Sequence, residues 1–229
     1  RAMGQGLATA LAQWSAEQLG VPLDSIDVST GDTSRVSLGM GGFASRQAIL
    51  AGSAVHLASL EVRQKAIKVA QQVLEVSEQD LILQNGRVEV LGVPGHGVSL
   101  ATIARKLKGS PGYALPRGVT PGLEATSLFQ FDAQAFASAT HACEVEVDIG
   151  TGDVRILRYV AVHDSGRLIN PMIAEGQIHG GVVHGIGNAL FEKMRFDEIG
   201  QPLTTTFADY LLPTATEIPN IEVLFHESP

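Results

Sequence analysis

Leu7, Leu11, Trp14 and Leu19 recur near helical spacing, and Gly20 with Pro22 supplies a stop, so the pattern predicts a helix from about Gln5 to Leu19. The next segment, "SIDVST" (25–30), reads as a strand. A longer helix from about Ser45 to Val76 follows from Leu60, Ile67, Ala70 and Leu74, and its Ala-rich first half is expected to be buried on most sides. Asn85-Gly86 sits between the two alternating runs of "DLILQNGRVEVL" and predicts a tight hairpin. "SLATIARKLKG" then reads as a short helix, capped by Ser99 and closed by Gly109.

Pro111, Pro116 and Pro121, spread among glycines, mark residues 110–135 as an irregular connection and a lobe boundary, with 1–109 as a first lobe and 136–229 as a second. Beyond it, "SATHACEVEVDIGTGDVRILRYVAVHDSG" alternates over two runs joined by Gly150-Thr151-Gly152-Asp153, a second hairpin. Asn170 and Pro171 form a helix entry, Asn at the cap and Pro at the first helical position. The tail "NIEVLFHESP" is one more strand. Helices alternate with hairpins rather than with single strands, so the expected class is α+β, helices packed on antiparallel hairpins, and not a doubly wound parallel sheet.

Composition narrows the functional classes. With 45% hydrophobic and 17% charged residues the 229-residue chain is expected to fold around a substantial core. A net charge of −8 without a basic stripe argues against nucleic acid as a partner. Cys143 is the only cysteine, which leaves no disulfide framework, no zinc knuckle and no iron–sulfur cluster held by this chain alone. No apolar run reaches the length of a membrane span, and a cytoplasmic location is expected, with the periplasm as the alternative. The sequence opens inside a pattern without an initiator Met, so a piece of a longer protein is expected.

Three stretches resist explanation by folding alone. Gly176, Gly180, Gly181, Gly185 and Gly187 fall within one predicted helix, where each costs about 0.8–1 kcal/mol against Ala. Two accounts stay open: close packing of another helix, or a planar ligand approached by the amide of Gln177. In "GMGGFASRQA" (39–48) three glycines precede a helix start, where unpaired N–H groups and the helix dipole favour an anion, and Ser45, Arg46 and Gln47 add a hydroxyl, a cation and an amide. A mobile surface loop is the alternative, made less natural by Met40 and Phe43. The stretch is not a Walker loop, since no Gly-Lys-Ser/Thr follows, and a phosphate or pyrophosphate is the expected ligand. Finally, Gly4 and Gly6 flank Gln5 at the head of the first helix. As a dinucleotide fingerprint this is partial, with Asp24 and Asp27 about twenty residues on but Thr9 in the third glycine position.

The histidines say less. His179 and His184 are five apart and lack the four-residue spacing of a helical zinc pair, and His163 beside Asp164 fits either a proton relay or a strand-end histidine satisfied by its surroundings.

Taken in order, "MGQG", "GGFASRQA" and "VDIGTGDVRILRYVAVHDSGRLINPMIAEGQIHGGVVHGIGNALFE" resemble the C-terminal part of the molybdenum-binding large subunit of the molybdenum hydroxylases, the xanthine dehydrogenase, aldehyde oxidase and carbon monoxide dehydrogenase family. The resemblance implies a molybdenum-cofactor-binding domain. Gln5 and the turn Gly42, Phe43, Ala44, Ser45, Arg46 and Gln47 would bind the pterin and phosphate of the cofactor, and Gln177 would approach the pterin from another side. The cofactor would be molybdopterin with molybdenum, or its cytosine dinucleotide form. Implied partners are the remainder of the large subunit, an iron–sulfur subunit or domain carrying 2Fe–2S clusters, an FAD subunit where one is used, and a second copy in a dimer of the assembled enzyme.

Family chemistry is hydroxylation of an aldehyde or N-heterocycle carbon with oxygen taken from water, assisted by a glutamate base. That glutamate belongs to a Gly-x-Gly-Glu segment expected C-terminal to Pro229, so no catalytic residue and no metal ligand is assigned here, and the chain alone is expected to be inactive. Two other readings stand beside this one: a cofactor-free scaffold or assembly relative of the same fold, and a nucleotide-binding oxidoreductase built on Gly4-Gln5-Gly6.

Overall fold

The opening apolar pattern becomes α1, Leu7–Leu19, which starts two residues later than its periodicity suggests, because Gly4 and Gly6 take left-handed backbone angles ahead of it. Gly20 ends it in the left-handed conformation, its N–H bonded back to the Ala16 carbonyl. The computed structural model describes residues 1–36, 38–39, 41–109, 111–133 and 136–228. The chain divides into two units, residues 1–134 and 135–229.

In the first unit, residues 26–30 do not form the expected strand. They alternate between half-buried and exposed as a strand's residues do, but among the described residues no neighbouring strand pairs with them. The long helix also starts later than predicted: α2 is Ser53–Leu74, preceded by a π-helical turn at Ala48–Gly52 and by a single 3-10 turn at Phe43–Ser45. Its buried residues concentrate in the second half, at Ala66, Ile67, Val69 and Ala70, and not in the Ala-rich first half.

β1 (Leu81–Gln84) and β2 (Arg87–Val90) make the expected hairpin, with Asn85 and Gly86 both at positive φ as a tight two-residue turn requires. The pairing of Glu89 with Gly97 extends this into a three-stranded antiparallel sheet through β3 (Gly97–Ser99), which is too short to announce itself in sequence. Ser99 then caps α3 (Leu100–Leu107), its hydroxyl accepting from the Thr102 N–H at 3.2 Å. Ile103 and Leu107 of α3 close the core against α2 and the sheet, with Leu81, Leu83, Val88, Val98 and Val119.

In the second unit, β4 (Ser138–Val147) and β5 (Val154–Asp164) form the expected long antiparallel hairpin, with a bulge at Glu144/Val145. Asn170 caps α4 (Pro171–Leu190), accepting from the Ile173 N–H at 3.1 Å. The tail strand β6 (Ile221–Phe225) pairs with β5 in parallel, Tyr159 opposite Ile221 and His163 opposite Phe225. Antiparallel hairpins therefore do not account for the whole fold. A parallel neighbour needs a crossover, and α4 lies on that path. Val182 and Ile186 of α4 pack with Ile221, Tyr159, Ile156 and Val223. No helix among the described residues is long and apolar enough to cross a membrane.

Candidate cofactor-binding site

α1 and α2 lie side by side and run in the same direction. Three contacts, in ascending order along the two helices and the segments that lead into them, establish this. The Gln5 Nε2 donates to Gln47 Oε1 at 2.6 Å, Trp14 lies against Gly52, and Arg63 Nη1 donates to the Gln18 carbonyl at 3.3 Å. The chain entering α1 and the chain entering the π-helical turn before α2 therefore meet at one end of the pair.

Neither of those entries is capped by a side chain. The α1 ladder begins with the Ala10 N–H bonded to the Gly6 carbonyl, so the amides ahead of Ala10 lie outside it. Two neighbouring helix starts pointing the same way add their partial positive charges. The loop between them is strained: Ala44 and Ser45, neither of them glycine, sit at φ 59° and 51°. A Cβ at Gly42 would come within 2.7 Å of the Gln47 Cδ, so a side chain there would require the Gln47 amide to shift.

Functional groups line this loop. The Arg46 guanidinium lies 3.9 Å from the centroid of the Phe43 ring, and Phe43 is itself exposed. The Ser45 hydroxyl is exposed and makes no hydrogen bond among the described residues. Gln5 Oε1 accepts from the Met3 N–H at 2.6 Å, and Gln47 Nε2 donates to the Arg1 carbonyl at 3.4 Å. The structure thus brings Gln5 together with Gln47, and sets Phe43, Ala44, Ser45 and Arg46 on the same turn. Met40 lies outside the described residues. A cation, a hydroxyl, the Gln5 amide joined to Gln47, and two uncapped helix entries form a donor set suited to an anionic, acceptor-rich ligand.

Gln177 belongs to the second unit, on the first half of α4. A Cβ at Gly176, Gly180, Gly181 or Gly185 would meet nothing within 4 Å among the described residues, so no neighbour among them requires these four glycines. Gly187 differs, because a Cβ there would stand 2.7 Å from Glu192 Oε1 and 3.0 Å from Pro213 Cδ.

Asp164 does not form a relay with His163. Its carboxylate is taken up by the Ser228 hydroxyl and N–H and by the Gly166 N–H, which hold its pKa down at about 2. The tie between Tyr210 and Glu192, 2.6 Å, is one that sequence reading missed; it raises the Tyr210 pKa and fastens the loop after α4 to the helix end. Only the two residue types, eighteen apart in an irregular region, mark it in sequence.

A family model described as a molybdopterin cofactor-binding domain matches residues 1–219. The chain belongs to that family. Among curated members it is 40% identical over 226 residues to the nicotine 6-hydroxylase large subunit of Paenarthrobacter nicotinovorans, covering 99% of this chain and 28% of that one. It is also 40% identical to the carbon monoxide dehydrogenase large chain of Hydrogenophaga pseudoflava, over 96% of this chain and 27% of the relative. Of solved members, quinoline 2-oxidoreductase from Pseudomonas putida 86 superposes with a TM-score of 0.88 at 36% identity, over all of this chain and 29% of that one. The chain therefore spans under a third of the length of these relatives. Membership and superposition bear out the α+β cofactor-domain class. The dinucleotide reading of Gly4-Gln5-Gly6 finds no support, since the sheet of the first unit is antiparallel throughout and α1 packs on α2.

Proposed function

We propose that this molybdopterin-domain chain holds the phosphate and pterin portion of a molybdenum cofactor, and that the donor set at the paired heads of α1 and α2 is where it does so. The observation that carries the reading is the 2.6 Å bond between Gln5 and Gln47, which joins two segments 42 residues apart into one donor cluster. Backbone amides at the head of α1 and around Gly42 to Ser45 take the phosphate oxygens. The Arg46 guanidinium neutralises their charge, and the Ser45 hydroxyl donates to them. The Gln5 amide donates to an acceptor on the ligand. Gln177 stays in the proposal through the likeness of its motif to the family's.

When bound, the cofactor supplies the chemistry: hydroxylation at an electrophilic carbon of an aldehyde or N-heterocycle, with oxygen drawn from water. The chain's own contribution is binding and orientation. The relatives' names include nicotine, quinoline and carbon monoxide, a range that leaves substrate choice to residues outside the cofactor cradle. Iron–sulfur and FAD partners belong to the same proposal, because the relatives are named as large subunits or chains.

The experiment is direct. Full-length protein carrying this domain, purified with its partners, is assayed for molybdenum by elemental analysis and for pterin by fluorescence after oxidation. About one of each per chain is expected. A folded, partnered protein with neither would leave a scaffold role instead.

A further inference from the structure

Gln5 and Gln47 are each able to point their amides either way, yet the groups around them leave one arrangement. The Met3 N–H can only donate, and it meets Gln5 Oε1 at 2.6 Å. Gln5 therefore turns its Nε2 toward Gln47, which must answer with its oxygen, and does so at 2.6 Å. That choice aims Gln47 Nε2 at the Arg1 carbonyl, which can only accept, at 3.4 Å. Backbone groups of fixed polarity thus terminate the chain of amides at both ends, and flipping either glutamine would set donor against donor or acceptor against acceptor. Gly42 leaves this arrangement undisturbed, since a Cβ there would come within 2.7–2.9 Å of the Gln47 amide and require it to shift.

We infer that Gln47 is a positioning residue: it touches the Gln5 amide, not the cofactor, and fixes which way round that amide lies, its oxygen toward Met3 and its Nε2 as the donor edge. The second Nε2 hydrogen of Gln5 makes only a long bond to the Arg1 carbonyl, 3.5 Å, which an acceptor atom of the ligand can displace. The inference rests on the proposed cofactor reading and refines it: the ligand edge facing Gln5 is an acceptor, a phosphate oxygen or a pterin carbonyl or ring nitrogen. Without the Gln47 oxygen, Gln5 regains its rotamers and the donor is no longer preset.

A double-mutant cycle tests this in the full-length holoprotein. Gln5→Met, Gln47→Met and the double variant keep side-chain volume and remove the hydrogen bond. The rate of pterin loss on prolonged dialysis is read per folded chain, with near-ultraviolet circular dichroism as the folding check. Supporting-residue losses in cofactor sites are of the order of tenfold, and roughly that acceleration is expected for each single variant. The double variant is expected to lose pterin no faster than Gln5→Met alone, because Gln47 acts only through Gln5. Losses that multiply to about a hundredfold would overturn the inference and make Gln47 an independent ligand. A Gln47→Met protein that keeps pterin as the parent does would overturn it as well. Gln5→Met retaining pterin at the parental rate would instead remove the cofactor role of Gln5 itself. Should Gln47→Met fail to fold, Gln47→Asn, which withdraws the amide by one methylene, runs the same cycle with the same expectations.

Discussion

The Trp14 indole fills the space beside Gly52: a Cβ on Gly52 would lie 1.9 Å from Trp14 Cζ3 and 2.2 Å from Cη2. This contact sets how closely α1 approaches the π-helical turn ahead of α2, and through it the meeting of the two helix heads that carry the proposed site. Gly52→Ala is expected to force α1 away from α2 and to destabilise the protein by about 1–3 kcal/mol, the usual cost of overpacking a close contact. Urea unfolding monitored by Trp14, the only tryptophan, reads both the loss and the local change. An unchanged midpoint would mean the indole moves aside freely.

At the start of α4 the Asn170 side chain accepts from the Ile173 N–H at 3.1 Å. Replacing it with Ala leaves that amide without its cap. A loss of roughly 1 kcal/mol is expected, and Asn170→Ser or Asn170→Asp should restore most of it. Thermal unfolding of the three variants checks the order Asn, Asp and Ser above Ala.

Asp164 gives a pH dependence of known sign. Its folded pKa is depressed to about 2, first by the Ser228 hydroxyl and then by the Gly166 and Ser228 N–H groups, against an ordinary value of 3.8. A depressed carboxylate contributes stability that is complete above the ordinary value and is lost as pH falls through about 2. The tie between β5 and Ser228 should therefore hold at neutral pH and release only between about pH 4 and pH 2. Amide exchange at Ser228, compared with Asp164→Asn over that window, measures it. An Asp164 tie that loosens already near pH 6 would contradict the assignment.

What could be read in the sequence divides along physical lines. Features set by local chemistry are where the pattern puts them: the Asn85-Gly86 turn, the Ser99 and Asn170 caps and the β4–β5 hairpin. Features set by partners distant in sequence are not. Residues 26–30 alternate like a strand but have no strand beside them among the described residues, and β6 was legible as a strand while its parallel pairing with β5 was not, because pairing direction is fixed by the crossover. The left-handed turn at Ala44 and Ser45 keeps the helix from starting at Ser45, and a π-helical turn over Ala48–Gly52 precedes the α-helix at Ser53. Sequence motifs nominated Gln5 and Gln47 separately; nothing local in either stretch tells that one amide would bond the other.

The measurement that bears most directly on the central claim is the cofactor content of full-length protein in which the loop's cation and hydroxyl are both removed, Ser45→Ala with Arg46→Ala. Neither residue belongs to the buried core, Ser45 being exposed and Arg46 half-buried on the turn, so folding should survive. If the heads of α1 and α2 hold the cofactor, molybdenum and pterin should fall together, by roughly tenfold or more, at an unchanged melting temperature. A folded double variant that retains both at the parental level would place the cofactor elsewhere and contradict the account.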